Sequence, residues 1–305
     1  MNDHRPQRVN PSAIAHSPIS PSGLPNQVTY TSASWFRQPG PPIWKKMWRD
    51  LLASRELAWR LMVKDLSAQY RQSMFGIAWA FIPPIILAAG FTFATNAKVI
   101  NIGKTDIPYP AYVMLGTMLW QTFIEALNSP IQAITTSKGL LAKINFPREA
   151  IILAKLGQVF FNFGIKIILI AGVFLWFRIP VPWTIAIAPV ALLHLIWLGT
   201  FIGLLLAPLA GLYNDVSKAL PLIIGPWLFL TPVVFPVPSS GTFATVVKLN
   251  PVTPLLVTTR ELATTGVISD PQGFWITSGI AIGGLLVAWI LYRVAMPYVI
   301  ERVSS

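Results

Sequence analysis

From about Ile77 onward the chain alternates long apolar runs with short polar breaks. The runs lie near Ile77–Thr95, Tyr109–Leu127, Ala150–Phe177, Trp183–Leu212, Leu220–Phe235 and Phe274–Arg293. Crossing ~30 Å of hydrocarbon takes roughly 20 helical residues, so each run predicts a transmembrane helix. The third and fourth runs are longer, with room to tilt, kink or extend past the bilayer. The fifth is short and proline-rich. Pro83 and Pro84 fall early in the first run, where the loss of backbone donors predicts a broken or kinked helix. Between the fifth and sixth runs, residues 238–272 are semi-polar, and Val252–Leu262 within them suits a helix that dips into the outer leaflet without crossing.

Upstream the pattern changes. Trp44, Trp48, Leu51, Leu52, Trp59, Met62, Val63 and Leu66 recur at helical spacings, and Lys45, Lys46, Arg49, Arg60 and Lys64 occupy much of the rest. A basic, tryptophan-bearing helix of this kind suits a membrane interface, so residues 43–72 are expected to form an amphipathic interfacial helix. Residues 1–42, rich in Pro, Ser and Asn, read as a disordered cytoplasmic tail and lack the apolar stretch of a secretory signal. The predicted fold is an all-α membrane protein. The interfacial helix is followed by a domain over 73–300 with six transmembrane helices and short re-entrant or interfacial helices between the fifth and sixth.

Composition supports this picture: 54% of the 305 residues are hydrophobic and 11% are charged, against about 25% charged in a typical soluble domain. The net charge of +12 raises the question of nucleic acid. The charges sit at the ends of apolar runs and form no single face, so no nucleic-acid partner is expected. Lys98, Lys104, Arg178, Lys248 and Arg260 fall on one side of a six-span topology and Lys166 falls inside a span. All the other Lys and Arg fall on the side of the two termini, which places both termini in the cytoplasm. The absence of cysteine excludes disulfides and thiol chemistry. The histidines, His4, His16 and His194, have no metal-ligand spacing, and no phosphate-binding G-x-x-x-x-G-K-[ST] loop is present.

Four segments in order carry a family likeness: SRELAWRLMVKDLSAQYRQSMFGIAWAFIPP at 54–84, with Tyr70, Arg71, Ser73, Gly76 and Trp79; GLLAKINFPREAI at 139–151; LYNDVSKALPLIIGPWLFLTPVVFP at 212–236; and LNPVTPLLVTTREL at 249–262. Together they resemble the membrane (permease) subunit of bacterial ABC polysaccharide exporters, the O-antigen, capsule and teichoic-acid export family. The chain departs from that family at Asn214, where an arginine is common; Asp215 remains and suits a helix cap.

The resemblance implies a permease without a nucleotide site and with no cofactor of its own. ATP and Mg would bind a separate ABC ATPase, present in two copies beneath a homodimer of this chain. A lipid-linked glycan would pass outward across the bacterial inner membrane. It also implies that residues 129–149 form a cytoplasmic coupling loop whose Phe146 and Pro147 make an apolar knob and whose Lys143, Arg148 and Glu149 supply charge. Arg60, Lys64 and Arg71 suit a lipid pyrophosphate or the gate entrance, although positive-inside topology explains the same residues. Trp79, Phe81, Trp120, Phe123, Trp227 and Phe229 are candidates to line a glycan conduit, although aromatics fill membrane cores as well.

Within the spans, Glu125 and Lys155 have depths that suit an ion pair, and Lys166 has no evident partner in sequence. Gly199, Gly203, Ala207 and Gly211, and likewise Gly279 and Gly283, repeat every four positions and predict close helix packing within the subunit. An intramembrane glycosyltransferase would cluster acids at one face, and an ion-coupled transporter would show repeated halves. Neither pattern is seen. An ABC exporter of a drug or a lipid remains as the alternative.

Overall fold

The computed structural model describes residues 43–71, 74–100, 102–143 and 148–304. The tail at 1–42 and the segment 144–147, with Phe146 and Pro147, lie outside the described residues. The described residues form ten α-helices and no strand. These are α1 (Ile43–Ala53), α2 (Arg55–Arg71), α3 (Ile82–Asn96), α4 (Tyr109–Lys143), α5 (Glu149–Trp176), α6 (Ala188–Leu212), α7 (Asn214–Phe229), α8 (Thr242–Leu249), α9 (Val252–Thr264) and α10 (Pro271–Ser304). Among them α5, α6 and α10 are long and apolar enough to cross a membrane, and α3 is a shorter apolar helix.

Helix α6 is the central element, packed between α4 and α10. Its small residues explain how. A Cβ at Gly199 would lie 2.7 Å from the Phe123 carbonyl, one at Gly203 would run into the Leu127 carbonyl, and one at Gly211 would lie 2.7 Å from Val299. Ala207 is fully buried. The stripe therefore seats α4 at backbone distance and the Val299 side chain of α10 tightly beside it, the close packing that its spacing predicted. The second stripe does not behave so: a Cβ at Gly279 or Gly283 would meet nothing within 4 Å, and Gly284 is the glycine that accommodates a neighbour, the Phe201 ring.

The double proline starts a helix and does not break one. A 3₁₀ turn at Gly76–Ala80 leads through Phe81 into α3, whose first turn holds Pro83 and Pro84. Donors there have no intrahelical partner, so proline costs little. The expected single interfacial helix is two, α1 and α2, joined at buried Ser54, whose hydroxyl donates to the Asp50 carbonyl at 2.7 Å.

Helix α4 continues to Lys143, so the expected coupling loop at 129–149 is helical over its first part. The residues from Ser129 to Lys143 are too polar to have been read as part of an apolar run. Helix α7 follows α6 after one extended residue, Tyr213, with Asp215 in its first turn and no side-chain cap, so the expected capping role is not realised. It ends at Phe229, short of the run that predicted it.

Candidate functional site

Three regions concentrate polar and aromatic side chains. The first is the face between α2, α4 and α5. Lys155, Gln158, Asn162 and Lys166 recur at helical spacing along α5. Lys155 Nζ lies 2.7 Å from Asp65 Oδ2 on α2. The Tyr70 hydroxyl donates to Asn162 Oδ1 at 3.3 Å, and Asn162 Nδ2 donates to Glu125 Oε2 at 3.3 Å. Lys166 Nζ completes the network 2.6 Å from Glu125 Oε1. Burial, and then the Glu125 carboxylate, push the Tyr70 phenol up, so it keeps the proton it donates.

Glu125 thus pairs with Lys166, and Lys155 with Asp65, in place of the expected Glu125–Lys155 pair. The cause is the length of α4. Glu125 lies mid-helix, and it and Lys166 stand at nearly equal distances along the chain from the facing ends of α4 and α5 at Lys143 and Glu149. The repeat of polar residues along α5 was visible in the sequence and was the signal that had been missed.

On the opposite face of α2, Arg60, Lys64 and Arg71 project as one exposed basic stripe, with Arg60 also 2.7 Å from Glu56. Their spacings of four and seven keep all three within about 40° of helical arc. Trp48 and Leu52 on α1 and Trp59 and Val63 on α2 are exposed apolar residues.

The second region lies where α1, α5 and α10 meet. Arg293 pairs with Asp50 and lies 3.4 Å from Glu149 Oε1. Glu149 is buried there, so it is an anchor for the start of α5 and not an exposed docking charge. Arg148 precedes it at the edge of the described residues, and Lys143 closes α4 on the other side. At the start of α7, Lys138 Nζ donates to Asn214 Oδ1 at 3.3 Å.

The third region is the end of α7. Past Phe229 the backbone leaves the helix, and its carbonyls are met by side chains. Asn250 Nδ2 donates to Leu230 O at 3.1 Å, Arg260 Nη1 to Pro232 O at 3.0 Å, and the hydroxyls of Tyr109 and Tyr112 to Val234 O and Phe235 O at 3.0 Å each. The Arg260 guanidinium also stacks over the Tyr112 ring, 3.9 Å from its centre. Helix α9 is buried along nearly its whole length, so it is a core element that caps α7.

Of the conduit candidates, Trp120, Phe123 and Trp227 pack on one another with ring centres 5.4–6.0 Å apart. Trp120 and Phe123 are buried, and Trp227 donates to Asn250 Oδ1 at 3.2 Å. Trp120 and Phe123 are therefore core residues of α4, and Trp227 of α7 packs half-buried against them. Trp79 and Phe229 are exposed, and Phe81 is half-buried at the entry to α3.

A family profile described as ABC-2 type transporter matches residues 56–262, from the start of α2 to the end of α9. The chain belongs to the ABC-2 transporter membrane family. The match covers all three regions except the parts carried by α1 and α10.

This ABC-2 membrane protein is 22% identical over 221 residues to the O-antigen export system permease protein RfbA of Myxococcus xanthus, covering 70% of this chain and 82% of that one. It is 24% identical over 213 residues to the protein of the same name from Klebsiella pneumoniae (68% and 79%). To the polysialic acid transport protein KpsM of Escherichia coli it is 21% identical over 251 residues (76% and 91%). Membership of a transport family with several long apolar helices makes this a multi-pass membrane protein and a transport component.

Proposed function

We propose that this chain is the permease subunit of an ATP-driven exporter that carries a lipid-linked cell-surface polysaccharide, such as O-antigen, outward across the bacterial cytoplasmic membrane. The observation that carries this reading is its likeness, over most of its length, to permeases named for O-antigen and polysialic acid transport. In this reading α3, α4, α5, α6, α7 and α10 are the six spans, and α1 and α2 lie in the cytoplasmic interface with their exposed tryptophans toward lipid. Both termini are cytoplasmic, and the end of α7 with α8 and α9 forms the extracytoplasmic gate.

Two copies form one conduit above two ATPase subunits, which bind ATP and Mg. Phe146, Pro147 and Arg148, between the ends of α4 and α5, dock on the ATPase. Because buried Glu149 is tied to Arg293, which also holds Asp50, motion at the start of α5 reaches α10 directly and α1 through Arg293. The basic stripe of Arg60, Lys64 and Arg71 meets the pyrophosphate of the lipid anchor at the entrance beside α3 and α7.

The test is co-purification with the partner ATPase and ATP-dependent glycan export in vesicles. The purified chain alone should hydrolyse no ATP. Phe146→Asp should lose ATPase association and export while keeping membrane insertion, since an unpaired charge in an apolar cleft costs several kcal/mol and about 1.4 kcal/mol is tenfold in binding. Normal association and export in a well-inserted Phe146→Asp variant would remove the docking role. A wild-type complex that exports a drug or a lipid and no glycan would replace the substrate.

A further inference from the structure

The central turns of α4 expose a polar face. Between Gln121 and Gln132 every residue is buried except Gln121, Ile124, Glu125, Asn128 and Gln132. Gln121, Glu125, Asn128 and Gln132 follow spacings of four, three and four, which confine them to about 60° of arc and spread them over about 17 Å of helix. That rise is about half of the ~30 Å hydrocarbon thickness. On α5 and α10, by contrast, the exposed faces carry apolar residues: Ile167, Ile168 and Leu175 on α5, and Ile276, Ile280 and Val287 on α10.

Glu125 sharpens the contrast. Its partner Lys166 is buried, yet the Glu125 side chain is 32% exposed. An ionisable group at this depth does not face lipid; it faces protein or water. This face also makes α4, at 35 residues, less apolar overall than α5, α6 and α10.

We propose that Gln121, Glu125, Asn128 and Gln132 form the wall of a water-filled path and hydrogen-bond a hydroxyl-rich glycan as it moves. Three of the four are neutral amides, each both donor and acceptor, like a sugar hydroxyl. The one charge is balanced by Lys166, so the wall selects neither cations nor anions. Repetition at each turn of the helix gives a repeating polymer equivalent successive positions. The glycan part of the proposal rests on the export reading above; the aqueous face does not.

The chain has no cysteine, so a single substitution gives it one thiol, whose labelling is read on this chain after the complex with its ATPase is separated. Gln121→Cys, Asn128→Cys and Gln132→Cys should each react with a small charged thiol reagent in vesicles at least tenfold faster than Ile280→Cys, because the reagent needs water and a thiolate. Silence at all three, or a disulfide between Asn128→Cys of two copies without reagent labelling, would overturn the aqueous wall. In a second arm, the combined Gln121→Leu, Asn128→Leu and Gln132→Leu variant should cut glycan export at least tenfold while ATPase association is kept. Unchanged export would overturn the glycan contact. If the wild-type complex moves no glycan but the three positions label, the export reading fails and the aqueous wall stands. The single-cysteine arm decides the wall even where the triple variant does not reach the membrane.

Discussion

Asp65 and Lys155 meet at 2.7 Å and pin α2 against α5. The pair is neither surface nor core: the side chains are 34% and 16% exposed, respectively. Its loss should therefore fall between the limits for exposed and buried pairs, about 1–3 kcal/mol. Asp65→Asn or Lys155→Met should lower the thermal stability of the purified protein and speed proteolysis within α2. The exchange Asp65→Lys with Lys155→Asp should recover part of the loss. An exchange no better than the sum of the single changes would show that the contact does not hold α2.

The α6 stripe makes a contrast between glycines. A Cβ at Gly203 runs into the Leu127 carbonyl, which cannot swing aside as a side chain can. Gly203→Ala should cost the 1–3 kcal/mol typical of overpacking, about the upper end or more, and lower the yield of folded protein. A Cβ at Gly279 meets nothing within 4 Å. Gly279→Ala should be neutral or gain up to about 1 kcal/mol from helix propensity. Melting of the two variants side by side is the check; equal effects would mean that α4 and α6 are not in backbone contact.

Lys166 and Glu125 form a pair of unequal burial, with the lysine buried and the glutamate part-exposed. Lys166→Met leaves the part-exposed carboxylate without its cation and should cost about 1–3 kcal/mol, between the limits for exposed and buried pairs. Glu125→Gln together with Lys166→Met removes both charges and should be nearer to wild type than Lys166→Met alone. Thermal melting of the singles and the double closes the cycle. A double variant as unstable as the sum of the singles would deny the pairing.

The sequence carried the helices best where one period governed them. The apolar runs that predicted α5, α6 and α10 name helices that the structure contains, because a helix with apolar residues all round leaves no ambiguity. Helix α4 was cut short at Leu127 because its continuation bears Asn128, Gln132, Thr135 and Thr136 on one face, and a window average hides a face. That error moved Glu125 to a helix end and produced the wrong ion pair. The α6 stripe was legible because small residues at four-residue spacing have one main use. Buried Glu149 was not, since its burial depends on Asp50 and Arg293, which are remote in sequence. The same holds for Arg260: its place among outer-side charges followed from counting, but its work as a cap for α7 depends on where Pro232 lies.

Arg260 makes the most demanding prediction. It is buried, stacks on Tyr112 and donates to the Pro232 carbonyl, while Asn250, Tyr109 and Tyr112 meet the neighbouring carbonyls. Unwound backbone away from bulk water needs such partners. Arg260→Lys keeps the charge but cannot stack a plane on Tyr112 and donate to Pro232 at once. Arg260→Met removes both charge and donor and leaves one carbonyl without its partner, a cost of about 1–3 kcal/mol. Both changes should therefore loosen the segment after α7, with faster amide hydrogen exchange over 230–236 and over α9, while exchange in α5 and α10 stays as in wild type. Tyr112→Phe removes one donor but keeps the ring under Arg260, so its effect should be smaller and confined to the same segment. If Arg260→Met left exchange over 230–236 unchanged, the guanidinium would not be holding the end of α7, and the polar cap there would rest on Asn250 and the two tyrosines alone.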